Sequence, residues 1–288
     1  MTRGPTGSAF VAKATEMLVG CGLEAPEGML YEAADLQWWW AGGAFAVEGD
    51  QVLLEDAAGR TIAWIAFDSG ANGALECDTA WLPSAASREL YERVLAALEQ
   101  RSRGPATLGV HARDCAWKAM LTEWGWQPSD ERLVQWSWQR QAIVAPDLSP
   151  EFAFQSPDEL TRDPGMHPLA KRNGADIARR LNRCSLYDPT LDLQIRHVPS
   201  GDIAAYGLCW FEPRTRVALF EPVRVETPFH RRGLGAGLMR EGLRRLIGRG
   251  VERVKVSHYE SNTAAGALYQ HVGFRTLFHQ EIWRRESW

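Results

Sequence analysis

Residues Glu221–Gly237 read EPVRVETPFHRRGLGAG, and this stretch decides how the second half of the chain is understood. Val223 and Val225 alternate with other residues at the period of a strand. A short polar turn follows, and glycines then open an amphipathic segment over Gly235–Arg249 that reads as a helix. Arg231–Ala236 thus presents successive backbone N–H groups at a helix N-terminus. Unpaired donors and the positive end of the helix dipole favour an anion there. Gly233 and Gly235 let a phosphate approach the backbone with no Cβ in the way. A P-loop is excluded, because Gly237 is followed by Leu238-Met239 rather than Lys-Ser/Thr. A dinucleotide fingerprint is excluded too, since Leu stands at 238 and several elements precede the turn. Taken alone, the turn fits an anion site and an unliganded glycine loop equally well.

The second informative segment is Asn262–Phe274, NTAAGALYQHVGF. Apolar or small residues at 264, 265, 268 and 272 make one helix face, with Asn262 and Tyr269 about two turns apart on a similar side. Gly273 ends the helix as a left-handed cap, and Phe274 returns the chain to the core. Asn262 suits either a helix cap or a hydrogen bond to a ligand.

Together, HRRGLGAG and the later NxxAxxLYxxxGF resemble the GCN5-related N-acetyltransferase (GNAT) superfamily. The first matches that family's (Gln/Arg)-x-x-Gly-x-(Gly/Ala) acyl-CoA loop, and the second its Asn…Tyr helix. The resemblance covers Ile203 to the end of the sequence. It implies acetyl-CoA as co-substrate, with Val223, Arg224 and Val225 splaying from the neighbouring strand to bind the pantetheine arm. Arg231, Arg232, Gly233, Leu234, Gly235 and Ala236 would wrap the pyrophosphate. Asn262 would contact the pantetheine or order a water, and Tyr269 would lie near the sulfur as general acid. One departure is His230, which stands where the family has Gln or Arg; because the loop works through backbone N–H groups, binding is expected to survive. A neutral amine is needed for attack, so a base is required. Glu221 is the first candidate and Glu226 the second; the competing reading makes Glu221 a structural carboxylate.

The first half repeats the second under a shift of 148 residues. Gly125-Trp126 falls on Gly273-Phe274, Leu121 on Tyr269, Asp114 on Asn262, and Leu90, Leu95 and Leu98 on Leu238, Leu243 and Leu246. The order of elements agrees as well. In the first half, strands are expected at Gln51–Glu55, Arg60–Phe67, Gly73–Leu82, Thr107–His111 and Arg132–Trp138, with helices at Ser87–Arg101 and Cys115–Glu123. In the second, strands are expected at Asp192–His197, Ile203–Phe211, Arg216–Glu226, Arg253–His258 and Leu277–Arg284, with helices at Gly235–Arg249 and Thr263–Val272. Ser84-Ala85-Ala86-Ser87 stands opposite the acyl-CoA loop without a glycine, and Leu121 removes the tyrosine. This lobe is expected to be non-catalytic. The expectation is a mixed α/β sheet fold of two tandem GNAT-like lobes, 1–145 and 146–288. A proline-bearing linker, Gln139–Pro157, joins them, with a second loop over Pro157–Pro168.

Composition bounds the rest. The chain has 288 residues, 45% of them hydrophobic, enough for two cores. The net charge of −4 argues against a polyanion partner as a whole, and Arg224–Lys255, although basic, spaces its arginines as a solvated helix face. Five scattered cysteines without a Cys-x-x-Cys pair point to reduced thiols in a cytoplasm. The histidines show no metal-ligand spacing, and no membrane span or nucleic-acid partner is expected. Ten of the thirteen Trp precede residue 140 and read mainly as core; Trp38-Trp39-Trp40 pack under an acceptor pocket or line it. The expected function is N-acetyl transfer from acetyl-CoA to a primary amine of a small molecule or peptide, by a monomer or homodimer. The alternative is a non-catalytic acyl-CoA-binding or sensing protein.

Overall fold

A computed structural model describes residues 7–42, 51–69, 74–101, 104–155 and 167–286. Residues 157–166 of the expected second loop, and Gly73 at the head of an expected strand, lie outside them. The elements run α1 Gly7–Glu24, α2 Ala33–Gly42, β1 Gln51–Glu55, β2 Thr61–Ser69, β3 Leu75–Trp81, α3 Arg88–Arg101, β4 Ala106–His111, α4 Cys115–Glu123, β5 Gln127–Gln139 and β6 Phe152–Phe154. They continue with α5 Ala170–Asn173, α6 Ile177–Leu181, β7 Asp192–His197, β8 Ile203–Glu212, β9 Val217–Val225, α7 Leu234–Gly248, β10 Arg253–Tyr259, α8 Thr263–Val272 and β11 Arg275–Arg285.

The chain forms two compact units, Met1–Gln135 with Leu277–Trp288, and Trp136–Thr276. The second is one continuous stretch that begins near the expected boundary at 145, whereas the first takes its last strand from the end of the chain.

In the first unit, β1–β2 and β2–β3 pair antiparallel and β3–β4 parallel. β11 then pairs antiparallel with β4, from Gln280 opposite His111 to Arg285 opposite Ala106. The β1–β2 hairpin turns on Asp56, whose Oδ1 accepts from Ala58 N and Arg60 N. The stripe Leu90, Tyr91, Val94, Leu95 and Leu98 buries one face of α3. Trp64, Trp117 and Trp126 are fully buried in this unit, which answers for much of the tryptophan excess. Trp38 is buried, and Trp39 stacks on Trp64 at 6.2 Å and meets Tyr31 edge-on at 5.4 Å, so packing accounts for both.

In the second unit, β6–β7, β7–β8 and β8–β9 pair antiparallel, and β9–β10 parallel. Residues 152–154, expected as linker, form β6 instead, because Phe152 is buried while its main chain pairs with β7. β5 begins at Gln127 rather than near Arg132; its opening residues are mostly exposed and polar, so no alternation marks them.

The repeat is visible in the hydrogen bonds. Asp114 Oδ1 caps α4 through Trp117 N (2.9 Å), and Asn262 Oδ1 caps α8 through Ala265 N (3.2 Å). Trp126 N donates to Leu121 O (2.9 Å) and Phe274 N to Tyr269 O (3.0 Å), after glycines in the left-handed region at 125 and 273. The shift is not gapless, however. Residues 82–87 join β3 to α3 whereas 226–233 join β9 to α7, so the second lobe has the longer connection at the turn of interest.

Gly273 has φ +100°, and a methyl placed on it would meet only ordinary contacts, the nearest atom being 3.6 Å away. Gly273→Ala should therefore cost about 1–2 kcal/mol of backbone strain, read as a lower urea midpoint with an unchanged m-value.

Candidate functional site

The site is built where β9 leaves β10. The two strands pair only at Val217–Arg253, Ala218–Val254 and Leu219–Lys255. β9 then continues to Val225 and β10 to Tyr259, so the segments beyond Leu219 and Lys255 have no pairing with each other. β9 keeps its other neighbour, β8, as far as Val225. One edge of the segment carrying Glu221, Val223, Arg224 and Val225 therefore offers main-chain groups that a ligand could use.

The turn after β9 is shaped by two residues in the left-handed region, Arg231 (φ +64°) and Gly233 (φ +77°). Gly233 is the N-cap of α7 and brings no side-chain oxygen to the first helical N–H groups. Turns of this kind gather successive N–H groups into an anion-binding concavity. Arg231, Arg232 and Gly233 are exposed, while Leu234, Gly235 and Ala236 are buried as the helix begins. A methyl at Gly235 would stand 3.0 Å from Leu268 of α8 and 3.5 Å from Val225, so glycine lets helix and strand close together.

The side chains of this turn divide their work. His230 Nε2 donates to Val225 O at 3.0 Å, tying the turn back to the strand end. Here the residue that departs from the family pattern braces the loop. Arg232 is engaged by Glu151 at 3.2 Å and lies over the Phe152 ring at 5.8 Å. Arg231 makes no side-chain hydrogen bond or ion pair among the described residues, which leaves its cation for a ligand.

Glu221 and Tyr269 are brought together. Burial pushes the Tyr269 hydroxyl above its ordinary range, and the negative charge of Glu221 pushes it further the same way. Desolvation raises the Glu221 carboxyl to about 7, against the opposing pull of the Arg224 cation. Among the described residues neither the Glu221 carboxylate nor the Tyr269 hydroxyl makes a hydrogen bond. The main chain of Glu221 is held instead, its carbonyl accepting from Trp210 Nε1 at 2.7 Å. Glu226, the second candidate base, is paired with Arg172 at 3.2 Å, and Arg172 also donates to Tyr206 Oη at 2.6 Å. Glu226 is thus an ion-paired carboxylate. Asn262 spends its side-chain oxygen on the cap of α8.

Sequence reasoning missed four participants. Trp210 clamps Glu221, Arg172 holds Glu226, and His258 and Trp136 crowd the ring of Tyr269 at 5.6 and 6.2 Å. Of these only His258 left a trace, as a polar residue on the expected strand four positions before Asn262.

The first lobe closes the equivalent turn on itself. Ser84 donates to Glu24 through both its N (2.8 Å) and its Oγ (2.9 Å), so a carboxylate of the chain already sits where an anion would bind. Leu121, opposite Tyr269, is fully buried.

Residues 192–274 match the model of the acetyltransferase (GNAT) family. Among solved structures the chain is similar to a GCN5-related N-acetyltransferase from Sphaerobacter thermophilus, with TM-score 0.62 and 19% identity over 99% of this chain and 94% of that one. It is also similar to a tandem GNAT protein from the clavulanic acid biosynthesis pathway, with TM-score 0.64 and 16% identity over 96% and 94%. A third is an acetyltransferase of the GNAT family from Colwellia psychrerythraea, with TM-score 0.58 and 12% identity over 97% and 96%. No curated protein matches the chain in sequence. At these identities the structural likeness carries the fold, and the family model carries the second lobe. Residues 192–274 thus match the acetyltransferase (GNAT) family model, within a chain that has the mixed α/β fold seen in tandem GNAT proteins.

Proposed function

We propose that the chain is an acetyl-CoA-dependent N-acetyltransferase, acting on a primary amine of a small molecule or peptide, with one working site in the second lobe. The observation that carries this reading is the Glu221–Tyr269 pair: two polar groups without hydrogen-bond partners among the described residues, electrostatically coupled, beside an unpaired strand edge and a turn suited to an anion. The turn at 231–236 takes the pyrophosphate through its N–H groups, and the free edge of Val223–Val225 takes the pantetheine arm. The amine nitrogen attacks the thioester carbonyl directly; a C–N bond forms, and the C–S bond breaks. Glu221 accepts the proton that the amine loses, and a base with a value near 7 suits that task at neutral pH. A backbone N–H near Val225 meets the oxyanion. Tyr269, kept protonated by its surroundings, gives its proton to the departing thiolate. The net charge of −4 favours a cationic acceptor, and a cytoplasmic setting fits the free thiols. No helix among the described residues is long and apolar enough to cross a membrane.

Calorimetric titration with acetyl-CoA should give one site per chain, abolished by Gly233→Glu, which strains a left-handed position and puts an anion in the turn. Two sites would show that the first lobe binds after all; none at millimolar ligand would sink the reading. Binding with no thiol released to any amine in a broad screen would favour the acyl-CoA-binding alternative.

Tyr269→Phe should lower kcat by about 10²–10⁴-fold and leave the KM for acetyl-CoA nearly unchanged, as measured by thiol release.

Glu221 supplies a pH signature. Its carboxyl rises from 4.5 to about 7 on folding, so the folded chain holds a proton that the unfolded chain has lost between those values. Stability should fall as pH rises through that window, while the rate rises through about 7 as the base is freed. Glu221→Gln should flatten both profiles, checked by urea midpoints and initial rates across pH.

A further inference from the structure

Beside Tyr269, two side-chain atoms of the second unit are sealed from solvent with no hydrogen-bond partner among the described residues: His258 Nε2 and Trp136 Nε1. Buried polar atoms are nearly always paired, and each exception asks for a reason. Both belong to one aromatic group. The His258 ring stacks on Trp136 with centroids 6.0 Å apart and lies 5.6 Å from the Tyr269 ring, which Trp136 meets edge-on at 6.2 Å.

The hydrogen bonds fix which atom is donor and which acceptor. His258 Nδ1 lies 2.7 Å from Tyr259 O, and a carbonyl only accepts, so Nδ1 carries the proton. In the neutral ring Nε2 is then a bare lone pair. Trp136 Nε1 only donates. One unmet acceptor and one unmet donor therefore flank a single tyrosine.

Nε2 is also placed against that tyrosine's helix turn. A Cβ built on Gly266 would stand 3.1 Å from Nε2 and 3.6 Å from Trp136 Cζ2. Helical side chains lean toward the N-terminus, so the Tyr269 ring lies over the turn that contains Gly266. Glycine at 266 gives the imidazole its room.

We propose that His258 is a positioning residue for Tyr269, holding with Trp136 one ordered water whose second hydrogen is donated to the tyrosine oxygen. The water accepts from the Trp136 N–H and donates to His258 Nε2, the two to four polar partners a buried water requires. Its remaining hydrogen meets the phenol oxygen as that oxygen loses its proton to the thiolate and becomes negative. Such a bond eases proton release from a hydroxyl that burial and Glu221 otherwise hold back. The inference rests on Tyr269 as the general acid.

The test compares His258→Gln, which keeps an acceptor near the Nε2 position, with His258→Phe, which does not. His258→Phe should lower kcat about tenfold, the worth of one hydrogen bond, with the KM for acetyl-CoA unchanged, and His258→Gln should restore most of it. In a Tyr269→Phe background His258→Phe should cost nothing more. Equal losses in both variants, a changed KM, or additivity with Tyr269→Phe would assign His258 to packing and overturn the proposal. A second readout needs no turnover: ¹⁵N spectra of the wild-type protein should show Nε2 unprotonated and the Trp136 indole N–H slow to exchange. A protonated Nε2 or a freely exchanging indole would also overturn it. If the wild-type chain releases no thiol, the acetyltransferase reading falls and the role of His258 with it, whereas a protonated Nε2 or an exchanging indole overturns this proposal and leaves that reading standing.

Discussion

The constraint on which the second lobe depends is the early end of pairing between β9 and β10. A sheet normally satisfies its main chain by laddering every strand to its neighbours. Here the ladder stops at Leu219 and Lys255, and both strands run on. The cost is a row of main-chain groups on β9 without a strand beside them. The gain is an unpaired backbone edge, with a glycine-bearing turn at its end and Glu221 and Tyr269 within electrostatic reach of each other. Trp210 keeps β9 in place by bonding the Glu221 carbonyl, and His230 does the same for Val225. Those two bonds hold the strand in register while leaving its other edge free.

The first lobe keeps the same early end of pairing, β3 and β4 parting after Cys77 and Leu108, but differs at the residues around it. Its helix caps and glycine turns repeat those of the second lobe bond for bond at α4 and α8. Differences lie at the turn and at the position opposite Tyr269. Glu24 fills the N–H groups at Ser84, and an apolar residue at Leu121 packs where a hydroxyl would be needed. Scaffold and chemistry are separable in this fold, because caps and cores are set by different residues from those that meet a ligand.

Much of this was legible in sequence, for physical reasons. Helix α8 announces itself through Asn262 and Gly273, since caps are local; so does the β1–β2 hairpin through its turn. The turn at 231–236 is legible because glycine is required by backbone shape. What stayed hidden depends on partners distant in sequence. Nothing local says that Arg172 would claim Glu226, or that Trp210 would reach Glu221. The pairing of β11 with β4 is a choice between sheet edges, to which the alternation of β11 is indifferent. The polar opening of β5 and the short β6 carry too few apolar positions to register a period.

The pairing of β11 with β4 also bears on how the chain is made. Synthesis is vectorial, and the strand that completes the first unit, Gln280–Arg285, is translated only after the whole of the second. The N-terminal sheet therefore leaves the ribosome with β4 bare along one side, an edge open to wrong partners until those residues arrive. In order of synthesis, the second unit is complete before the first has its last strand.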